Sequence, residues 1–195
     1  MAMGRPRAFD VSEALDKALV VFWRKGYEGA SLSDLTAAMG INPPSLYACF
    51  GNKEGLFRRA LDRYEEMQGC YIEEALAAPT AREAVERLLC QSAKLQCEEG
   101  HPQGCLLVTA GLSGGEESSA IREELAERRK ASETDIKKRL ERAKKEGDLP
   151  KDANPAALAR YISTIMRGMS VQAASGATAK ELKQVAEMAM KVWPE

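Results

Sequence analysis

Histidine is nearly missing from these 195 residues, and His101 is its single copy. That count argues against a Ser-His-Asp triad with spare candidates and against an imidazole-rich metal site. Cysteine is present but suits neither a staple nor a metal. Cys49, Cys70, Cys90, Cys97 and Cys105 are odd in number, irregularly spaced and without a CxxC pair. Cys90 and Cys97 share one helix face too far apart for a local disulfide and read as packing residues. No stretch nears the roughly 20 uninterrupted apolar residues that span a bilayer. The N-terminus lacks the apolar segment of a signal peptide, so the cytoplasm is the expected compartment, with no membrane partner. A surplus of one charge is lacking too: 28 Lys and Arg stand against 29 Asp and Glu, a net of −1. Any binding to nucleic acid must then come from a local basic surface. No metal cluster, phosphate-cradling loop or acid/base pair appears, so catalytic residues, metal and cofactor are all expected to be none. Period-two strand patterns, internal repeats and low-complexity linkers are not found either.

What remains is helix. The chain is 45% apolar and 29% charged, the balance of a globular protein with a real core. Asp10-Val11-Ser12-Glu13 reads as a capping box, Asp10 accepting orphan amides and Glu13 reaching back. The helix after it, over roughly 11 to 25, puts Ala14, Leu15, Ala18, Leu19 and Phe22 on one face until Gly26 stops it. Ser31-Leu32-Ser33-Asp34 opens a short second helix carrying Leu35, Ala38 and Met39 and ending at Gly40. Asn42 caps a third with Pro43 at its first position, where a missing amide costs nothing. It runs to about Phe50; Gly51 ends it, and Asn52-Lys53-Glu54 starts a longer fourth. Two short helices joined within about 20 residues must cross steeply, which is the helix-turn-helix arrangement. Eight of the eleven aromatics fall in the first 64 residues, bulk that a small three-helix unit needs.

Beyond residue 60 the composition changes to long-helix sequence. Thr80 caps a helix to about Glu99, and residues 99–104 form a turn. A short apolar helix covers Cys105 to Leu112 and breaks at Gly114-Gly115. A highly charged helix runs from about Ser118 to Glu146. Asn154-Pro155 opens one reaching about Gly176, and Thr178-Ala179-Lys180-Glu181 caps the last. The expected fold is all-α, with about nine helices. A three-helix unit holding the helix-turn-helix occupies residues 1–60, and a larger helical region occupies 61–195.

The run from Gly4-Arg5-Pro6-Arg7 through "FWRKGYEGASLSDLTAAMGINPPSLYACFGNKEGLF" resembles the TetR family of transcriptional regulators. The resemblance is specific over about residues 4 to 64 and weaker beyond; the GRP start, "FWRKGYEG" and "HPQGCLLV" resemble one branch of it. It implies a cytoplasmic homodimer that binds a double-stranded, palindromic operator through a DNA-binding domain in residues 1–60, with a ligand-binding and dimerisation domain in residues 61–195. Such proteins are usually repressors released by a small-molecule inducer. It also implies that Tyr47 and Lys53 bind phosphate, Lys53 helped by a positive helix N-terminus. Asn42, Pro43, Pro44 and Ser45 would face base edges at the leading end of the third helix. Ser31 and Ser33 can donate to backbone oxygens, Ser31 being a helix cap first. Arg5 and Arg7 make a short basic arm that fits an adjacent minor groove, or else a solvated tail. Core aromatic of a three-helix bundle is the competing reading for Tyr47 and Phe50; it is preferred for Phe50, while the motif match favours DNA for Tyr47.

Three positions depart from the family pattern. Pro43 offers a base only apolar contact where relatives are often polar or basic. Cys49 replaces a frequent histidine. Ala30 stands where threonine is common. Residues 1 to 65 hold nine basic against eight acidic side chains, a net of +1, so affinity should lean on dimerisation and on DNA shape.

In the second region, Leu158, Tyr161, Ile162, Ile165, Met166 and Met169 share one face, and Leu182, Val185, Met188, Ala189 and Val192 another. The resemblance implies that the last two helices pair with their symmetry mates. The dimer interface is therefore expected at Leu158, Ile162, Ile165 and Met169 together with Leu182, Val185, Met188 and Val192; ordinary core is the competing reading. Pocket candidates are Tyr64, Met67, Tyr71, Leu89, Leu107 and Met166, apolar or flexible residues in the right region. Cys105 joins them. At the start of a helix its thiol would be acidified into a reactive thiolate, an electrophile or redox switch, or it is simply a small buried hydrophobe. The rival function from another class is a helical protein-interaction module with a degenerate helix-turn-helix and no operator.

Overall fold

Capping side chains and glycines set where each helix starts and stops. The computed structural model describes residues 9–110 and 119–194. Among them are nine helices and no strand: α1 (Val11–Gly29), α2 (Leu32–Met39), α3 (Pro43–Phe50), α4 (Lys53–Leu76), α5 (Ala81–Leu95), α6 (Leu106–Thr109), α7 (Ser119–Glu146), α8 (Pro155–Ala174) and α9 (Ala179–Met190). At the head of α1, Asp10 Oδ1 accepts the amides of Ser12 at 2.7 Å and Glu13 at 3.2 Å. The expected reach of Glu13 back to the cap is not made; its carboxylate pairs with Lys17 at 2.7 Å instead. Gly26 interrupts α1 as expected, at φ 70° and ψ 178°, but one more helical turn follows to Gly29. A side chain at that φ would be strained. The short apolar helix is narrower than expected, four residues from Leu106, with Cys105 as its cap residue. Gly114 and Gly115 lie outside the described residues.

Two apolar cores result. The first joins α1, α2, α3 and the first half of α4. There Phe22 packs edge-on to Phe57 with centroids 4.8 Å apart, and Tyr27 stands 5.1 Å from Phe57. Phe22 and Phe57 are fully buried. This core does not end at residue 60. It takes in Tyr64, Leu106, Ala110, Ile121 and Leu125, so the small unit is seated on α6 and on the start of α7. The division expected at residue 60 falls inside α4, which runs unbroken across it. Trp23 is a further tie, its ring 4.8 Å from Tyr64 and stacked on His101 at 4.8 Å.

The second core packs α5, the latter part of α7, α8 and α9 around Leu88, Leu89, Ile136, Leu140, Ile162 and Leu182. Arg139, buried on α7, points at the end of α4. Its Nε donates to the Leu76 carbonyl at 3.0 Å and its Nη2 to that of Ala78 at 2.9 Å. The carbonyls at a helix C-terminus have no partner within the helix and carry partial negative charge, so a buried guanidinium satisfies both needs. Cys90 and Cys97 pack partly buried against this core, and Cys97 Sγ donates to the Ala177 carbonyl at 3.3 Å.

Candidate nucleic-acid interface

Four local devices set where α2 and α3 begin and end and tie α2 to α1. Ser31 and Asp34 close a reciprocal box: Ser31 Oγ accepts the Asp34 amide at 3.0 Å, and Asp34 Oδ2 accepts the Ser31 amide at 3.1 Å. Lys25 pairs with the same carboxylate at 2.7 Å and ties α2 to α1. Its hydrogen bond, then those from Ser31, hold Asp34 down to about 2. Gly40 closes α2 in the left-handed region at φ 68°, and Asn42 Oδ1 accepts the Ser45 amide at 2.9 Å to open α3. At the α3–α4 corner Asn52 Oδ1 accepts the Gly55 amide at 2.7 Å. A Cβ at Gly55 would sit 2.3 Å from the Phe50 carbonyl oxygen, so glycine sets how closely α4 approaches the end of α3. Sequence reading missed Gly55; its signal was a glycine in a helix's first turn, where propensity alone gives no reason for it.

The outer surface follows from this frame. Leu46 and Phe50 turn into the core, while Asn42, Pro43, Pro44 and Tyr47 face outward and Ser45 is partly covered. Tyr47 is 47% exposed, and no described residue hydrogen-bonds its hydroxyl. The core reading therefore applies to Phe50 and not to Tyr47. Ser33 is exposed in the first turn of α2. Ser31 is exposed too, but its hydroxyl donates to Asp34 Oδ2 at 2.8 Å, so the expected hydroxyl donor is already engaged. Lys53 lies over the Tyr27 ring, Nζ 4.6 Å from the centroid. Burial lowers its pKa and the Glu28 carboxylate acts in the opposite sense. Arg59, also missed, is placed on the Phe50 ring at 5.0 Å, with Nη1 3.5 Å from the Cys49 carbonyl. α3 itself carries no charged side chain. Arg5 and Arg7 lie outside the described residues.

A second site lies deeper. A cavity of about 300 Å³ opens among α4, α5, α6, α7 and α8, and Tyr64, Tyr71, Cys105, Leu107 and Met166 line it. Two expected members do not. Met67 is turned to solvent at 53% exposure, and Leu89 is packed inside the second core. Polar lining residues that periodicity could not single out are Gln96, Arg129, Ser163 and Arg167. The expected acidification of Cys105 is not found: burial pushes its thiol up, against hydrogen bonds from Tyr64 and the Val108 and Leu107 amides and the charge of Arg129. A four-residue helix supplies little dipole against that.

The dimer candidates split in two. Ile162, Met169 and Leu182 are each 1% exposed within the single chain, so their apolar surface is spent on its own core and they are corrected to core residues. Val185, Met188 and Val192 are exposed, as are Tyr161 and Val171 on α8; Leu158 and Ile165 are partly buried. The heptad-like stripe contained two adjacent faces, and period alone could not say which pointed inward.

A capped two-helix reader seated on an all-helical body that encloses a cavity defines a class, the helix-turn-helix transcription regulators. The family model described as bacterial regulatory proteins, tetR family, matches residues 14–60, and that of the tetracyclin repressor-like C-terminal domain matches residues 81–189. The HTH-type transcriptional repressor ComR of Escherichia coli (strain K12) is 34% identical over 194 residues, covering 98% of this chain and 92% of that one. The HTH-type transcriptional repressor BdcR of the same strain is 32% identical over 187 residues, covering 95% and 90%. Among solved structures, a cysteine-substituted CifR, a TetR family transcriptional regulator complexed with 26 bp double-strand operator DNA, superposes with a TM-score of 0.95. It is 46% identical and the match covers 97% of this chain and 100% of that one. The chain belongs to the TetR family: it is a DNA-binding transcription regulator and not an enzyme. No helix among the described residues is long and apolar enough to cross a membrane.

Proposed function

We propose that this chain is a cytoplasmic repressor that binds a palindromic operator as a homodimer and leaves it when a small molecule fills the cavity. The observation that carries the first half is the outward, unpartnered Tyr47, with Lys53 held by Tyr27 at the start of the next helix. Ser33, Tyr47 and Lys53 take phosphates, and Asn42, Pro43, Pro44 and Ser45 meet base edges. With no charge on α3, sequence is read largely through fit and DNA shape. The operator-bound state of CifR supports this use of the face, as do the repressor names of ComR and BdcR. Two readers act together through the exposed face formed by Tyr161, Val171, Val185, Met188 and Val192, because one patch meeting itself about a twofold axis matches a palindrome.

Release follows from the cavity's position. Its walls include α4, which begins with Lys53, and α6, which packs on the first core. An occupant that moves either one displaces the reading head, provided it binds the displaced state better. A second reading of release rests on Cys105, which lines the cavity beside Tyr64 and Arg129 although burial raises its thiol: an electrophile entering the cavity would add to the sulfur. Retention of the electrophile response by Cys105→Ser would remove that reading. The first test of the whole is a gel shift on duplexes from the chain's own upstream DNA. Wild type should retard one at low salt and Tyr47→Ala should not; equal retardation by both would remove α3 from the interface.

A further inference from the structure

The cavity wall carries a charge that no described residue neutralises. Arg129 lines it, and its Nη1 donates to the Leu107 carbonyl. Among the described residues no carboxylate forms an ion pair with it. The other charges of the lining are answered locally. Arg128 is taken by Asp62 at 2.7 Å, Glu124 at 2.8 Å and Glu65. Asp135 is taken by Lys138 at 2.9 Å, and Arg167 faces Glu133 at 3.4 Å while donating to the Arg129 carbonyl at 3.0 Å. Glu73 is exposed. Burial, and then the neighbouring Arg167, holds the Arg129 pKa below its ordinary value, which is the electrostatic sign of a cation short of an anion.

The same wall holds two buried polar atoms without partners among the described residues, Ser163 Oγ and Gln96 Oε1. Ser163 is only 4% exposed. An occupant made of hydrocarbon alone would leave the Ser163 hydroxyl unsatisfied, which is costly for a buried group; Gln96 Oε1, an acceptor, calls instead for a donor. Tyr71, Ile72, Leu95, Val108 and Met166 complete the lining with apolar surface. The cavity is thus amphipathic: among the described residues, its largely apolar wall holds one cation without an ion pair and one hydroxyl without a partner.

We propose that the effector of this chain is a small organic carboxylate, paired with Arg129, accepting from Ser163 and resting its aryl or alkyl tail on Tyr71, Ile72 and Met166. This rests on the reading of the cavity as the effector site. A guanidinium pairs with a carboxylate through charge-assisted hydrogen bonds, stronger than those an amide can accept.

The test uses the full-length protein and two matched probe pairs, 4-phenylbutyrate with its primary amide and octanoate with its primary amide. Binding is followed by thermal unfolding and by tryptophan fluorescence, since Trp23 stands 4.8 Å from the cavity residue Tyr64. At least one acid should bind on the order of tenfold tighter than its amide, the scale of a hydrogen bond to a charged group. Arg129→Gln should bring that pair close to parity, and Arg129→Lys should keep part of the preference. The proposal is overturned if no acid binds, if amides match acids in wild type, or if the preference survives Arg129→Gln. A parallel gel shift separates the two claims. Acid-selective binding that leaves DNA bound supports the carboxylate site and contradicts the effector reading. Release by a neutral compound without acid selectivity does the reverse.

Discussion

Replacing Lys53 with glutamine separates a phosphate contact from a packing contact. In the structure its ammonium lies 4.6 Å from the Tyr27 ring centroid and forms no ion pair with a described residue, so the charge is held in place and remains available to DNA. If each protomer neutralises one phosphate through Lys53, a dimer releases two counterions there. The slope of log affinity against log salt should then fall by about 1.8 in Lys53→Gln, taking roughly 0.9 per phosphate. Between 50 and 200 mM salt, a fourfold change, that slope makes the deficit of the variant shrink by about twelvefold. The lost contact with Tyr27, worth about 0.5–1 kcal/mol at an exposed site, would instead appear in unfolding of the free protein. Fluorescence anisotropy on one operator duplex across that salt range gives the slope. Parallel lines for wild type and variant would refute the phosphate role, leaving Lys53 as a cover for Tyr27.

The remaining predictions concern stability and assembly. Asp34 titrates at about 2 in the folded chain, below its ordinary 3.8, so its contribution is complete above the unfolded value and disappears as pH falls through 2. Asp34→Asn should flatten the acid dependence of unfolding between those two values, and an unchanged profile there would show that Lys25 and Ser31 do not stabilise the fold through it. Phe57 is fully buried against Phe22, so Phe57→Ala should cost about 3–5 kcal/mol in urea unfolding; a loss under about 1 kcal/mol would mean that the site collapses to fill the cavity. Met188 is 60% exposed, so Met188→Glu should leave each protomer folded but yield monomers in sedimentation and weaken operator binding. A dimer that persists would move the interface elsewhere.

The helices were legible because their punctuation is chemical. Ser31, Asn42, Thr80, Asn154 and Thr178 each cap the helix that their identity announced. Periodicity failed where two faces share one helix. Ile162 and Met169 are buried while Tyr161 and Val171 on the same helix are exposed, and both sets obey a helical repeat. The cavity was half legible: Tyr64, Tyr71, Cys105, Leu107 and Met166 line it. Arg129 could not be distinguished from the other basic residues of α7, because its distinction is a place in the cavity wall without, among the described residues, an acidic partner, a property of three dimensions. Cys105 shows a conflict of scale. Its place at a helix start suggested an acidic thiol, but burial outweighs four residues of helix.

The most direct test of the central claim is enrichment of genomic DNA fragments by the purified wild-type protein at low salt, with Tyr47→Ala as the control. The account predicts recovery of a palindromic site, lost in the variant although the variant remains folded. Failure to enrich any site, or enrichment equal in both proteins, would contradict a reading head built on α3 and favour a helical interaction module instead.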